Sequence, residues 1–357
     1  MPMFNLSKLV RPHLKYLTPY SSARDEYSGH AKIFLDANEN PYGSVGGASY
    51  NRYPDPLQAK VKNKLAQIKE VNPSNILLGN GSDEVIDLLF RTFCVPAEDN
   101  VIIMPPTYGM YKVCADINNI TARRTPLTRD FFIDIPEVKD QVDERTKLIF
   151  VCSPNNPTGN LLQKEAIINL LENFQGLVVV DEAYIDFAPG ASMLPYLKQY
   201  PNLVVLQTFS KAFGLAGIRL GVGYAAEAVV DILNKVKPPY NISEPTQELA
   251  LEALIRYSEK DQYVKEILAE RQKLETVFQS MPLVEKVYPS DANFLMVRTK
   301  SPKELYQFLL QKSIVIRDRS KVRLCEGCLR ITVGTPEENK LLVEALEAYQ
   351  NGEIAEV

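Results

Sequence analysis

The sequence predicts an α/β fold in which a mainly parallel sheet is covered by helices on both faces, together with a smaller α+β domain. Short, continuous apolar runs such as 101–104, 147–152 and 177–180 are separated by helical stretches, which is typical of parallel strands buried on both faces. Polar motifs follow nearly every run, at the edge where open α/β sheets bind ligands. At 357 residues, the chain is long enough for two domains of about 150 residues each.

The composition is that of an ordinary soluble globular protein. Hydrophobic residues make up 45% of the chain, charged residues make up 24%, and the formal net charge is -4. No basic tail or stripe supports nucleic-acid binding. Residues 1–17 lack the apolar core of a signal peptide, and no apolar run approaches the ~18 residues of a membrane span. We therefore expect a cytoplasmic protein without a nucleic-acid or membrane partner.

The cysteines and histidines argue against a metal centre. Cys325 and Cys328 form a C-x-x-C motif, but no second pair follows, and the two histidines, His13 and His30, are distant in sequence. A tetrahedral site needs four ligands. We therefore expect reduced, mostly structural thiols. Because histidine is scarce, acid–base chemistry must fall mainly to lysine, aspartate, glutamate or tyrosine.

The elements of the first two thirds of the chain can be placed from the apolar pattern. Residues 1–44 are expected to form an N-terminal arm that also belongs to the small domain, with a short strand at 33–35. Residues 45–243 are expected to form the large domain, and its first helix begins near Leu57, after the prolines of RYPDP. Its strands are expected at 76–78, 101–104, 147–152, 177–180, 203–206 and 220–224.

The last third of the chain, residues 244–357, is predicted to form the rest of the small domain. A helix-rich stretch, 244–280, leads into strand-like runs in NFLMVRT, SIVIRDRS and CLRITVGT. A helix is expected near 302–312, and an amphipathic helix at 336–350 closes the chain.

One lysine stands out because of its position after the apolar run 203–206. Lys211 follows Ser210 in TFSKAFGLAGIRLG, among small and apolar residues, and Arg219 stands eight positions later. Desolvation and a nearby cation both favour the neutral amine, a nucleophile that forms a Schiff base with an aldehyde. The aldehyde of pyridoxal phosphate fits, since Ser210 and Arg219 could hold its phosphate. Taken alone, Lys211 could equally be an ordinary loop lysine.

Other motifs supply the parts that such a cofactor needs. Gly81, Ser82 and Asp83 lie between a strand and a helix, where backbone N–H groups and the helix dipole bind anions, although Ser82 could simply cap the helix.

The remaining candidates would hold the cofactor ring. Asp181 directly follows an apolar strand and could stabilise a protonated pyridine nitrogen. Tyr184 and Asn156 could donate hydrogen bonds to the phenolic oxygen, and Tyr108 could stack on the ring. Alone, NNPTG is also a good turn, and Tyr108 could be a tyrosine at the edge of the core. Together, in this order and each at a strand end, these residues predict pyridoxal-phosphate binding.

The order of motifs GNGSDE, PPTYG, NNPTG, DEAY and SKAFGLAGIRLG resembles that of the fold-type-I pyridoxal-phosphate-dependent aminotransferases, class II. The segments LTPYSSAR, LDANENPYG, RYPDPLQ and CLRITVGT resemble most the members that act in L-histidine biosynthesis. Those enzymes interconvert histidinol phosphate plus 2-oxoglutarate and imidazole acetol phosphate plus glutamate. The segment GNGSDE, which would hold the cofactor phosphate, differs from that of many relatives, which have an arginine or alanine beside the second glycine.

The resemblance implies roles for the cofactor residues. Lys211 would carry the cofactor and shuttle the substrate proton, with Asp181 and Tyr184 also in the catalytic set. The cofactor phosphate would contact Ser82, Asp83, Ser210 and Arg219. Tyr53 would reach that phosphate from the other subunit, which implies a homodimer.

The resemblance also implies substrate-binding residues. Arg317 and Arg330 would bind the phosphate and the carboxylates of the substrates, which suit the planar guanidinium. The sequence does not decide between Arg317 and its neighbours Arg319 and Arg323. Further substrate contacts would come from Tyr20, Asn38 and Glu39.

Two alternative functions remain open at this point, and a third is disfavoured. An aromatic amino-acid aminotransferase and a pyridoxal-phosphate-dependent threonine-phosphate decarboxylase share the scaffold. A regulator built on the same fold would carry a DNA-binding domain, for which the arm before residue 30 leaves no room.

Overall fold

The computed structural model describes residues 4–20, 33–47 and 49–352, and its central feature is a seven-stranded mixed sheet. The strand order is β1-β7-β6-β5-β4-β2-β3, and only β7 runs antiparallel to its neighbours. The strands are β1 (Ile76–Asn80), β2 (Asn100–Ile103), β3 (Thr121–Arg124), β4 (Thr146–Cys152), β5 (Leu177–Asp181), β6 (Leu203–Thr208) and β7 (Leu220–Ala225). The expected mainly parallel sheet is confirmed.

Helices cover both faces of this sheet and also the second, smaller one. In chain order they are α1 (Leu6–Leu9), α2 (Ala59–Lys69), α3 (Gly81–Phe93), α4 (Met110–Ile117), α5 (Ile135–Gln141), α6 (Lys164–Asn173), α7 (Glu227–Val236), α8 (Glu244–Ile255), α9 (Tyr257–Ser280), α10 (Pro302–Gln311) and α11 (Pro336–Gln350). Among the described residues, no helix is both long enough and apolar enough to cross a membrane.

The strands are apolar along their whole length because both faces of the sheet are buried. In β5, Leu177 and Val179 pack into a core with α3, α4 and α7, whereas Val178 and Val180 pack into the core on the opposite face with α2 and α6. Successive side chains of a strand point to opposite faces, so a strand covered on both sides needs an unbroken apolar run.

The second sheet is antiparallel and has the order β10-β11-β9-β8. Its strands are β8 (Val284–Val287), β9 (Phe294–Thr299), β10 (Arg317–Asp318) and β11 (Cys328–Thr332). Leu295 and Leu329 of this sheet share a core with Phe278 of α9, Leu305 of α10 and Leu346 of α11. The helix-rich stretch that precedes it is divided at Arg256 into α8 and α9.

One expected strand is absent, and two strands form that were not expected. No strand forms at 33–35, where the side chains of Ile33 and Leu35 are 75% and 87% exposed. The strands β3 and β8 were not expected, because their sequences, TARR and VEKV, contain no continuous apolar run.

The cysteines are all buried free thiols. Cys325 and Cys328 lie at the two ends of a turn that leads into β11, in which the Cys328 N–H donates to the Cys325 carbonyl at 2.9 Å. Burial raises the pKa of the Cys325 thiol to about 12, which makes it unreactive at neutral pH.

Candidate active site

A cavity of about 160 Å³ lies at the ends of β4, β5 and β6 and at the start of α3. It brings together all the residues that the sequence predicted to hold the cofactor within one subunit. These are Gly81, Ser82, Asp83, Tyr108, Asn156, Asp181, Tyr184, Ser210, Lys211 and Arg219. Four lining residues were not predicted, namely Cys152, Ala183, Thr208 and Ala216.

One wall of the cavity is the first turn of α3, held against the start of β7. Gly81 has φ +70°, and its N–H donates to the carbonyl of Arg219 at 2.6 Å. A Cβ on Gly81 would lie 2.8 Å from Arg219 Nη2, and a Cβ on Gly221 would lie 2.1 Å from the backbone nitrogen of Ser82. Glycine at both positions lets the backbone of β7 approach the helix start. N–H groups of that first turn have no partner within the helix and favour an anion.

Arg219 adds a positive charge to this wall. Its Nη2 lies 3.5 Å from Asp83 Oδ2, and its Nη1 donates to Ser210 Oγ at 3.5 Å. The Tyr108 hydroxyl donates to Asp83 Oδ1 at 3.0 Å. The Asp83 carboxylate therefore organises Arg219 and Tyr108, and an anion at this wall would meet its backbone N–H rather than its side chain.

Asp181 is a buried carboxylate at the end of β5, with only 2% of its surface exposed. Its Oδ2 accepts a hydrogen bond from the Tyr111 hydroxyl at 2.6 Å, and its Oδ1 accepts one from the Ala183 N–H at 3.1 Å. Burial raises the pKa of Asp181 to about 6, against the effect of these two bonds. Among the described residues, Lys211 is the cation whose charge lowers the pKa of this carboxylate, and a cationic ligand group in the cavity would also be stabilised there.

Lys211 lies in the loop after β6 and is open to the same cavity. Its Nζ stands 5.4 Å from the centroid of the Tyr184 ring. Loss of water around the ammonium group lowers the pKa of Lys211, and the charges of Arg330 and Arg219 lower it further. Both effects favour the neutral amine, as the sequence predicted.

Arg330 connects the second sheet to the cavity. Its Nη1 donates to Asn156 Oδ1 at 2.5 Å, and its guanidinium lies 5.2 Å from the centroid of the Phe294 ring. Phe294 in turn packs edge-on against Tyr184, with ring centroids 5.2 Å apart. Since the Asn156 oxygen is engaged by Arg330, the amide nitrogen of Asn156 is the group left to donate into the cavity.

A cluster of arginines surrounds Arg330. Arg317 on β10 lies directly opposite Arg330 on β11, so both side chains leave the sheet on the same face. Arg319 continues this pairing through its N–H, which donates to the Cys328 carbonyl at 2.9 Å. Burial lowers the pKa of Arg319, and the charge of Arg317 lowers it further. Three like charges held together favour an anionic ligand.

The neighbouring arginines that the sequence left undecided differ in their surroundings, although none of them lines the Lys211 cavity. Arg319 belongs to the cluster and interacts with Tyr184 and Arg330, whereas Arg323 is exposed in the following loop. Sequence reasoning also missed Tyr111. The available signal was that a tyrosine on the buried face of a helix needs a partner for its hydroxyl.

The predicted residues of the N-terminal part lie apart from the Lys211 cavity. Tyr53, Asn38 and Glu39 line a separate groove of about 450 Å³, in which Tyr53 stacks on Tyr240 with ring centroids 4.5 Å apart. Tyr20 is 74% exposed. The remainder of LTPYSSAR, residues 21–24, and His30 lie outside the described residues. Site roles for these residues stay predictions.

Comparison with known proteins places the chain among the aminotransferases. The family model "Aminotransferase class I and II" matches residues 33–346. A histidinol-phosphate aminotransferase of Cytophaga hutchinsonii is 53% identical over 346 residues, which cover 97% of this chain and 99% of that protein. A histidinol-phosphate aminotransferase of Bacteroides fragilis is 51% identical over 349 residues, which cover 98% of this chain and 100% of that protein.

A solved structure shows the same fold at lower sequence identity. The crystal structure of histidinol-phosphate aminotransferase from Sinorhizobium meliloti in complex with pyridoxal-5'-phosphate is 24% identical, with a TM-score of 0.78. The match covers 88% of this chain and 90% of that one. The chain described here belongs to the class I and II aminotransferase family.

Proposed function

We propose that this aminotransferase uses pyridoxal phosphate to interconvert histidinol phosphate plus 2-oxoglutarate and imidazole acetol phosphate plus glutamate. The observation that carries the proposal is the cavity in which Lys211 meets a buried carboxylate and an anion-binding helix start. The choice of substrate is supported by the two relatives of that name, which are about half identical over nearly the whole chain.

The residues of the cavity fit the cofactor part by part. The first turn of α3, Ser210 and Arg219 would hold its phosphate. Asp181 would pair with the ring nitrogen, since a buried carboxylate favours a protonated nitrogen beside it. The hydroxyl of Tyr184 and the amide nitrogen of Asn156 would donate to the phenolic oxygen, and Tyr108 would cover the ring.

Lys211 would act as both the attachment point and the base. When bound, pyridoxal phosphate supplies an aldehyde for the substrate amine and a ring that withdraws electrons from the substrate Cα. With its lowered pKa, the Lys211 Nζ can hold the proton that leaves that Cα and return it on the product side. The side chains of Asp181 and Tyr184 beside it are buried, whereas Lys211 itself is exposed in the single subunit.

The arginine cluster would bind the anionic ends of the substrates. Arg317, Arg319 and Arg330 lie together on the second sheet, where Arg330 contacts Asn156 and the charges of Arg330 and Arg319 act on Tyr184. A phosphate or a carboxylate would relieve the repulsion among the three guanidinium groups, and the planar fork suits both anions. Arg319 is added here to the two arginines that the sequence predicted.

We further propose a homodimer in which Tyr53 completes the cofactor site of the partner subunit. In its own subunit Tyr53 is 51% exposed and lies outside the Lys211 cavity. Large apolar side chains near it in sequence are also exposed, among them Leu35, Tyr42 and Val45. An exposed apolar patch of this kind is typical of a surface that another chain covers.

The proposal is tested by turnover. Purified protein supplied with pyridoxal phosphate, histidinol phosphate and 2-oxoglutarate should form glutamate. Lys211→Ala should lower kcat by more than about a thousandfold while the protein still binds the cofactor, because both attachment and proton transfer depend on this amine. Lys303→Ala, at an exposed position on the first turn of α10, should stay within about twofold of the wild type. Turnover by Lys211→Ala at the wild-type rate would refute the assignment.

A further inference from the structure

Tyr111 is a fully buried tyrosine whose ring and hydroxyl are both fixed. Its ring stacks on Phe150 of β4, with centroids 4.8 Å apart and planes 16° apart, and meets Tyr108 edge-on at 5.6 Å. Its hydroxyl donates to Asp181 Oδ2 at 2.6 Å. The ring contacts aim the hydroxyl at one carboxylate oxygen.

Among the described residues, Tyr111 is the one side chain that donates a hydrogen bond to Asp181. The other donor is the backbone N–H of Ala183, which every residue except proline would provide there. An ionised carboxylate can accept about four hydrogen bonds, so two acceptor positions remain for the cavity. The Tyr111 hydroxyl thus fixes one oxygen of Asp181 and leaves the other side open to a ligand.

We propose that Tyr111 is a positioning residue for the cofactor, which acts through Asp181 by keeping its carboxylate ionised and oriented toward the cavity. The inference rests on the proposed binding of pyridoxal phosphate. Tyr111 does not line the cavity itself. Its ring reaches the cavity through Tyr108 and its hydroxyl through Asp181, so a variant that keeps the ring and removes the hydroxyl isolates the route through Asp181.

The charges around Asp181 show why this hydroxyl matters. Burial raises the pKa of Asp181 to about 6, and the bond from Tyr111 is the largest effect that opposes it. Asp83 also raises the pKa of Asp181, and Lys211 lowers it. Other titratable groups face the carboxylate from β4, from the segment before α4 and from the loop after β5, namely Cys152, Tyr108 and Tyr184. Loss of the hydroxyl should therefore raise the pKa of Asp181 further, toward the neutral acid at pH 7.

The test is the affinity of the whole protein for pyridoxal phosphate as a function of pH. Tyr111→Phe keeps the ring and its stacking and removes only the hydroxyl. We expect its Kd at pH 7 to rise roughly tenfold or more, the effect of one hydrogen bond to a charged group. We also expect the loss of affinity on acidification to begin at a higher pH than in the wild type, because the carboxyl group protonates earlier.

Tyr224→Phe is the matched control. Tyr224 is also completely buried, and its hydroxyl has no hydrogen-bond partner among the described residues. Its removal should leave both the Kd and the pH profile within about twofold of the wild type. Unfolding of the cofactor-free variants in urea reports any general loss of stability.

A double-mutant cycle with Asp181→Asn completes the design. If Tyr111 acts through Asp181, Tyr111→Phe should change the Kd little in the Asp181→Asn background. The proposal would be overturned if Tyr111→Phe lost its affinity on acidification at the same pH as the wild type. It would also be overturned if the substitution weakened binding equally in the wild-type and Asp181→Asn backgrounds. A wild-type protein that binds no pyridoxal phosphate would overturn the proposed function itself, which separates the two failures.

Discussion

In the proposed site, Arg330 links the arginine cluster to the Lys211 cavity. It donates to Asn156 on one side and faces Arg317 across the strand pair on the other. Arg330→Ala should lower kcat/KM for histidinol phosphate about a hundredfold, because a charge-assisted contact to the substrate anion is lost. The Kd for pyridoxal phosphate should change less than about tenfold, since Arg330 does not line the Lys211 cavity and acts on it through the hydrogen bond to Asn156 and through its charge.

Arg323→Ala is the control for this variant, since Arg323 is an exposed arginine of the loop between β10 and β11. It should leave kcat/KM within about twofold of the wild type. Normal KM values for both substrates in Arg330→Ala would remove Arg330 from the site.

At the scale of residues, sequence patterns identify candidate site residues at the end of a strand. They miss candidate residues whose position depends on contacts with distant parts of the chain. Asp181 ends a buried strand and Lys211 lies three positions after one, so both could be predicted at the edge of the sheet where ligands bind. Tyr111 lies 70 positions before its partner Asp181, and no local pattern connects them. Arg319 could be separated from Arg323 only after the pairing of β10 with β11 was known.

At the scale of elements, the close contact between β7 and the start of α3 should be indispensable. A Cβ at Gly221 would lie 2.1 Å from Ser82 N, so Gly221→Ala must push the strand away from the helix start. We expect a loss of about 3 kcal/mol or more in the free energy of unfolding, measured in urea, and a weaker Kd for pyridoxal phosphate.

The control for this contact is Gly217→Ala, four residues earlier. A Cβ at Gly217 meets no atom within 4 Å, and its backbone is not in the left-handed region. Its unfolding free energy and Kd should therefore stay near those of the wild type. Equal effects of the two substitutions would contradict the role given to the contact.

The strands of the large sheet were the most predictable elements, because burial on both faces requires continuous apolar runs. The edge strand β3 and the strand β8 are partly exposed and lack such runs, so only their neighbours reveal them. Conversely, the apolar residues at 33–35 do not form a strand. Their high exposure in a single subunit fits a surface that another chain would cover.

At the scale of the whole molecule, the proposed homodimer makes a prediction about mixed subunits. Lys211→Ala and Tyr53→Ala should each impair activity as pure proteins. When the two are unfolded, mixed in equal amounts and refolded, each hybrid dimer should contain one site with both native residues. Activity should then rise to about a quarter of the wild-type value. If Tyr53 served its own subunit, the mixture would show no more than the average of the two variants.

The division of the chain at residues 44 and 243 stays a prediction, as do the roles of Tyr20, Asn38 and Glu39. The sequence places these three residues by resemblance, and in one subunit Asn38 and Glu39 share a groove with Tyr53 rather than with Lys211. A second subunit would have to bring that groove to a cofactor cavity. In the proposed homodimer the site would be complete only in the assembly, which local sequence patterns do not describe.

The central claim is tested most directly by the first half of the reaction, followed by absorbance. The protein loaded with pyridoxal phosphate is mixed, without any keto acid, with histidinol phosphate, phenylalanine or threonine phosphate in separate cuvettes. We predict that low concentrations of histidinol phosphate convert the yellow form to the pyridoxamine form. A much stronger response to phenylalanine, or release of carbon dioxide from threonine phosphate, would contradict the proposed substrate in favour of an aromatic aminotransferase or a decarboxylase.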